Sequence, residues 1–390
     1  MRSCGVIVEY NPFHQGHAHH LQKAKEKSGA DCCIAVMSGN FVQRGEPAIL
    51  DKWTRTKLAL EAGADLVIEL PWFGAVQPAD YFGSMAVQLL SALQVDAFCF
   101  GTEKENEFSY MDFVKKEKAH QKELDQRIQQ LNCEHPEWSY PKKMAEAYRE
   151  IFPGEYKDMD QSNHLLGLAY ARANLRLERP LELLTIERKG SQHREKELTS
   201  FASGTAIRKA VQQKDWTELK NYVPIATYQA LKEGPCHRWE DYWPQLQGIG
   251  LSLSSSQWKQ LYEVHDGLEE RLQKSFYEAN SFSEWKESLS CAHLTQAKIQ
   301  RLATYILTQT TKEEVTYAWN HPYIKILGFS LQGRQWLKEK EISLPIVVNI
   351  RQQEERLLRL EQRYDMIYLS PYQTPKDYFS LYKPISKEEL

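Results

Sequence analysis

Long apolar runs are missing from this chain. No uninterrupted stretch approaches the roughly 20 residues that a helix needs to cross a bilayer, and hydropathy is low, so a membrane span is excluded. A dominant charge sign is missing too: a net charge of -3 exerts no overall pull toward nucleic acid, and any RNA contact has to come from local basic patches. No Cys-x-x-Cys pair occurs, which removes the zinc ribbon and the thioredoxin-type redox site. The seven cysteines (Cys4, Cys32, Cys33, Cys99, Cys133, Cys236, Cys291) are odd in number and scattered, as expected of small buried hydrophobes in a reducing compartment. Repeats and low-complexity tails are absent, and Met1-Arg2-Ser3-Cys4 runs into a strand without a signal-peptide pattern. A cytosolic protein is expected.

What is present is an ordinary globular composition, 42% hydrophobic and 26% charged over 390 residues, enough for two or three domains and a sizeable core. The first hundred residues alternate strand and helix. Cys4–Val8, Cys32–Met37, Leu66–Leu70 and Ala97–Phe100 are short apolar runs of the kind buried on both faces of a parallel sheet, and Leu181–Ile186 is a fifth. Between them, helices are predicted over Ala18–Lys27, closed at Ser28-Gly29, after an Asp51 N-cap and stopped by Gly63, and from about Ala79 to Leu93. The pattern predicts an α/β fold with a Rossmann-like parallel sheet, whose ligands bind beyond the carboxyl ends of the strands. Those ends are Glu9–His17, Ser38–Arg44, Glu69–Trp72 and Gly101–Glu103.

The first of them carries the sharpest signal. Ile7-Val8-Glu9-Tyr10-Asn11-Pro12-Phe13-His14-Gln15-Gly16-His17 reads as a buried strand running through a tight turn into a helix start. Gly16 lets a ligand approach the backbone, and first-turn amides with the helix dipole favour an anion. His14 and His17 add donors aimed at the same place, which suits attack on a nucleotide α-phosphate. Two plainer readings stand beside this one: a metal cluster of His14, His17, His19 and His20, and a structural turn begun by Asn-Pro. A second helix start, Ser203-Gly204-Thr205-Ala206-Ile207-Arg208, offers hydroxyls and an arginine as another phosphate contact or as an ordinary cap.

From Glu103 to about Pro153 the chain reads as a charged, solvated helical insertion. Beyond about Gln213 it becomes mainly helical. Leu261, Val264, Leu268, Leu272 and Phe276 recur at helical spacing as a core stripe, as do Ile299, Leu302, Ala303 and Ile306. Lys298 and Arg301, near Tyr305, suggest a basic-aromatic surface. Asn320–Phe329 interrupts the helices, and a short strand is predicted near 344–349. Arg351, Arg356, Arg359 and Arg363 interleave with glutamates, the pattern of a solvated face. The division expected is residues 1–212, a nucleotidyltransferase unit with its insertion at about 104–155, and residues 213–390, a helical unit.

Asn11–His17 resembles the His-x-Gly-His signature of the nucleotidyltransferase superfamily, and Ser203–Arg208 resembles its second phosphate-binding motif. The likeness narrows through Val8–Leu21, Met37–Ala48, Asp51-Lys52, Glu69-Leu70-Pro71, Phe100–Glu103, Asn320–Tyr323 and Ile326–Phe329. Together these resemble the bacterial tRNA(Met) cytidine acetate ligase family over nearly the whole chain, densely to about Arg208 and more sparsely afterward. The wider superfamily has an aspartate at Asn11, where the acetate ligases have asparagine, and a second asparagine is expected where the chain has His164.

The resemblance implies an enzyme that uses ATP and acetate to form acetyl-adenylate and passes the acetyl group to N4 of the wobble cytidine of elongator tRNA(Met). Carried over by position, ATP would meet Ile7, Val8, Glu9, Tyr10, Asn11, Pro12, Phe13, Gln15, Gly16, Gly101, Asn163, Arg188, Ser203 and Thr205, with His14, His17 and Arg208 as catalytic groups. Mg2+ would be held mainly by phosphate oxygens and water, so no protein-held metal site is assigned. Ser38, Asn40, Gln43 and Asp51 are candidates for the wall near acetate and cytidine, and Lys298, Arg301 and Lys325 for the tRNA backbone. Two rivals remain: an adenylyltransferase acting on a phosphorylated metabolite, and a non-catalytic tRNA-binding protein with a vestigial nucleotide site.

Overall fold

The structure, a computed structural model, describes residues 1–102, 108–155, 162–188, 203–265, 267–291, 294–347, 355–372 and 383–390. The predicted strands all form: β1 (Ser3–Val8), β2 (Cys32–Ser38), β3 (Leu66–Leu70), β4 (Ala97–Thr102) and β5 (Glu182–Glu187). They are mutually parallel, in the order β5-β4-β1-β2-β3. Their burial explains their composition. Along β2, Cys32, Ile34 and Val36 enter one apolar layer while Cys33, Ala35 and Met37 enter the other, so both faces must be apolar.

Helices Gln15–Ser28, Lys52–Glu61, Gly204–Gln212 and Ile225–Glu233 cover one face. Helices Ala79–Ala92 and Ser162–Leu175 cover the other. The expected caps are in place: Asp51 accepts from the amides of Trp53 and Thr54, and Gly29 closes the first helix with φ +61°.

Beyond residue 213 the chain returns to the same sheet. Within Asn320–Phe329, which reads from sequence only as an interruption of helices, β6 (Ile324–Phe329) pairs antiparallel with β3. The strands β7 (Ile346–Val347) and β8 (Ile385–Ser386) pair parallel with β6. The strand near 344–349 is therefore present as Ile346–Val347, while 348 and 349 lie outside the described residues. Helix Leu331–Glu339 follows β6 and presses Gly333 against the Asp65 carbonyl. A Cβ there would lie 1.9 Å from that oxygen, so only glycine fits.

The insertion is helical (Tyr110–Ala119, Gln121–Glu134, Tyr140–Ile151) but not merely solvated. Its Tyr110, Phe113, Leu124, Leu131 and Tyr148 are buried in the layer that covers β2 and β3. Glu103 and Arg351 lie outside the described residues. The apolar stripe from Leu261 to Phe276 is core, as expected, but not one helix. Helices Ser255–Gln260 and Leu268–Glu278 are separated by a turn in which Glu263 and Gly267 take φ of +58° and +84°. Leu261 and Val264 are buried in that connection.

Candidate active site

At the end of β1 the chain turns through Tyr10, whose φ is +50°, and a cis Asn11-Pro12 peptide into the helix begun by His14. The rings of His14 and His17 stack with centroids 3.6 Å apart at 19°. Tyr10 and Phe13 flank His17, with centroids at 4.9 and 5.7 Å, and hold its ring in place. The His14 amide donates to His17 Nδ1 at 3.3 Å, so neutral His17 carries its proton on Nε2. Burial pushes the His14 imidazole down to about 4, aided by the Arg188 charge. Burial, then His14, His20 and Arg188, hold His17 well below its usual range, and His20 is pushed down to about 4 by burial and by Arg188. The pair is neutral at pH 7 and presents hydrogen-bond donors without charge.

The expected open amides of this helix start are partly taken. Gln15 N donates to the Tyr222 carbonyl at 3.0 Å and His17 N to the His14 carbonyl at 2.9 Å. The histidine rings, more than the amides, are thus what the turn offers an anion.

The second motif docks onto the first. Ser203 caps its helix by accepting from Ala206 N. Gly204 lies against the Asn11 carbonyl, which a Cβ would approach to 2.9 Å. Arg208 donates to the Asn11 carbonyl (2.8 Å), the Glu46 carboxylate (3.0 Å) and the Thr205 hydroxyl (3.3 Å). Asn11 is turned inward, its Oδ1 accepting from Ile49 N at 2.8 Å, so its side chain shapes the turn.

Across the crevice, the ends of β4 and β5 carry Gly101 and Arg188. Arg188 N donates to the Thr102 carbonyl at 2.8 Å, its side-chain stem lies over Gly101, and its Nη1 donates to Asn163 Oδ1 at 3.4 Å. The depression of His14, His17 and His20 by Arg188 places its charge beside the histidine turn. Ile7 and Val8 form the strand beneath. Glu9 accepts from Gln43 N at 2.8 Å, and burial raises its carboxyl above the usual range. Where a second asparagine was expected, His164 is buried and shares a hydrogen bond of 2.6 Å with the Tyr110 hydroxyl.

The wall candidates have mostly inward tasks. Ser38 is fully buried, and its hydroxyl has no partner among the described residues. Asn40 donates to Asp365 and accepts from Lys52 N, both at 2.8 Å. Gln43 Nε2 donates to the Gln77 carbonyl at 2.6 Å, and Asp51 is a helix cap.

The expected basic-aromatic surface is not found. Lys298 is half-buried, Arg301 is buried against Glu263 (3.6 Å), and the buried Tyr305 donates to the Val76 carbonyl. Lys325 is buried between Glu69 (2.9 Å) and Glu361 (2.6 Å). Side chains drawn on the polar face of an isolated helix or strand are here covered by distant parts of the chain.

Sequence reading missed Arg55. It is fully buried, and its guanidinium donates to the carbonyls of Leu50 (2.9 Å), Glu9 (2.7 Å), Ser38 (2.9 Å) and Gly39 (2.5 Å). It ties the ends of β1 and β2 together beside the histidine turn. A helical arginine four residues after an N-cap gives no signal of this.

A HIGH nucleotidyl transferase family model matches residues 1–380. A tRNA(Met) cytidine acetate ligase from Geobacillus sp. (strain WCH70) is 37% identical, with 96% of each chain covered. One from Latilactobacillus sakei is 40% identical over 94% of this chain and 93% of its own. A crystal structure of Thermotoga maritima TmcAL bound with alpha-thio ATP superposes with a TM-score of 0.87 at 29% identity, covering 99% of this chain and 100% of that one. The apo form of the same protein gives 0.87 at 28% identity, with 99% of each chain covered.

Proposed function

The chain belongs to the tRNA(Met) cytidine acetate ligases of the HIGH nucleotidyl transferase family, and from that premise we propose that it activates acetate with ATP and acetylates N4 of the wobble cytidine of elongator tRNA(Met). The observation that carries the first step is the stacked, neutral His14–His17 pair facing Arg188 across the crevice. In that step an acetate oxygen attacks the α-phosphorus in line, the bond to the β-phosphate bridge breaks, and pyrophosphate leaves with acetyl-adenylate formed. His17 Nε2–H and the His14 ring donate to the phosphoryl oxygens as charge builds on them, and neutral donors stabilise that charge without repelling Mg2+.

Arg188 takes the polyphosphate on the β4–β5 side, and Arg208 does so from the second motif, where Glu46 and Asn11 hold it in readiness. Among the described residues no group of three or more His, Cys, Asp or Glu is arranged to hold a metal. Mg2+ is assigned to the polyphosphate oxygens and water, because it keeps several waters and binds chiefly through substrate phosphates.

In the second step the cytidine N4 attacks the acetyl carbonyl, AMP departs, and the amine loses a proton. The amine is a weak nucleophile, so placing it against a mixed anhydride shielded from water supplies much of the rate. No helix among the described residues is long and apolar enough to cross a membrane.

The test is incubation with labelled acetate, ATP and total bacterial tRNA, followed by digestion to nucleosides. ATP-dependent label in N4-acetylcytidine is the expected result. ATP cleavage with no label in RNA would turn the assignment to a small phosphorylated metabolite, and RNA binding without ATP cleavage would make the nucleotide site vestigial.

A further inference from the structure

The segment Phe41–Pro47 touches both the nucleotide crevice and the C-terminal helices. It is a closed turn: Phe41 bridges Pro47, Val42 N donates to the Glu46 carbonyl at 2.9 Å, and Gly45 N donates to the Val42 carbonyl at 2.8 Å. Gly45, at φ +78°, presses onto helix Gln296–Leu307. A Cβ there would stand 2.4 Å from Arg301 N, so the contact admits only glycine. Thr304 Oγ1 donates to the Gly45 carbonyl (2.9 Å) and Gln300 Nε2 to the Arg44 carbonyl (3.3 Å). On the crevice side, Gln43 N holds Glu9 and Glu46 holds Arg208.

Each residue of the turn is thus engaged except one side chain. Arg44 is exposed, and among the described residues its guanidinium makes no hydrogen bond or ion pair, although its backbone is pinned on both sides. Its charge reaches the crevice, since it lowers the Glu9 carboxyl against the effect of burial. A long cation usually loses side-chain freedom when it binds, and here the backbone is already fixed. A planar guanidinium in such a mount matches a phosphate diester, which it can grip with two parallel N–H donors.

We propose that Arg44 binds the RNA backbone phosphate next to the nucleotide being acetylated, at the rim where the Phe41–Pro47 turn meets the crevice. The proposal rests on the acetate-ligase reading above. RNA is favoured over the ATP polyphosphate because Arg188, Arg208 and the histidine pair already face the nucleotide. The Arg44 carbonyl and its neighbour Gly45 are held by Gln300 and Thr304 of the C-terminal region, to which the nucleotide-facing arginines make no hydrogen bond among the described residues.

The experiment compares wild type with Arg44→Gln and Arg44→Lys in two assays: acetate-dependent exchange of pyrophosphate into ATP without RNA, and acetylation of elongator tRNA(Met) at several salt concentrations. Arg44→Gln should raise the KM for tRNA about tenfold at 0.1 M salt, with the effect confined to the RNA step. It should also flatten the slope of log affinity against log salt by about 0.7, the value for one single-strand phosphate. Arg44→Lys should recover part of the affinity. An unchanged tRNA KM and salt slope, or an equal loss in the exchange assay, would overturn the assignment to RNA. A wild type that exchanges pyrophosphate without acetylating tRNA would instead overturn the functional reading itself.

Discussion

In the proposed reaction His14 and His17 would meet the incoming anion as neutral rings, because burial, with the Arg188 charge helping, holds both below the physiological range. The KM for ATP should therefore show no histidine inflection between pH 6 and 8, which initial rates at saturating acetate would reveal. A step near the ordinary histidine value would mean that the rings are protonated when ATP arrives. Replacing His17 with asparagine should lower acetate-dependent exchange by about a hundredfold, the scale of losing one donor to developing phosphoryl charge, while the melting temperature stays near wild type.

His237, remote in sequence from this turn, is also pushed down to about 4 by burial. Its Nδ1 pairs with the Tyr242 hydroxyl at 2.6 Å, that hydroxyl donates to the Tyr368 carbonyl, and Nε2 is buried without a partner among the described residues. Protonation would place an unanswered N–H in the core. A depressed histidine stabilises the fold fully above its unfolded value and loses that contribution as pH falls toward its folded value. From pH 7 to 5 the loss is about 2 kcal/mol for this one ring. Urea denaturation at both pH values should show the gap between wild type and His237→Phe shrinking by about that amount.

Among the elements, the ends of β1 and β2 are held together by Arg55 rather than by ladder bonds alone. Arg55→Leu would orphan the carbonyls of Leu50, Glu9, Ser38 and Gly39 in a dry setting. A loss of about 3 kcal/mol or more is expected, and because Glu9 leads into the histidine turn, the KM for ATP should rise in whatever fraction folds. An unchanged denaturation midpoint would show that water or neighbouring groups replace the guanidinium.

The elements around it were legible for a simple reason. The parallel strands announce themselves as short apolar runs, and Asp51, Gly29 and Ser203 mark helix ends through bonds to residues a few positions away. β6 was hidden because Ile324–Phe329 carries a lysine and a glycine, which weakens the strand pattern. Only its pairing with β3 and the carboxylates around Lys325 make that composition tolerable.

For the molecule as a whole, a buried ionic cluster fastens the helix Glu355–Leu369 to the sheet. Lys52 contacts Glu69 (2.8 Å) and Asp365 (2.5 Å), and Lys325 contacts Glu69 (2.9 Å) and Glu361 (2.6 Å). Burial raises the Asp365 and Glu361 carboxyls. Burial acts on Glu69 in the same direction, but Lys325 and Lys52 more than offset it and hold that carboxyl low. Lys325→Met would leave buried carboxylates short of a cation, a change worth about 3–5 kcal/mol and readable as a shift in the denaturation midpoint. A fragment ending at 212 would bare the β3 edge and the apolar layer shared with the C-terminal helices. It should aggregate rather than fold, and a monomeric fragment with a cooperative transition would contradict this.

Taken by itself, the sequence determined the alternation of strand and helix, the histidine turn, the second phosphate-type helix start and the family resemblance, because each is written in residues close together along the chain. Tertiary structure alone decided which charges are available. Arg301 and Lys325 read as surface cations until Glu263, Glu69 and Glu361 cover them. Arg55 carries no local signal at all, and only the fold closes the carbonyls at two strand ends around it. Arg44, the last residue of one strand-end segment in the sequence, proves exposed, with no side-chain hydrogen bond or ion pair among the described residues. Burial and pairing depend on partners far away in the chain, and no local pattern encodes where those partners arrive.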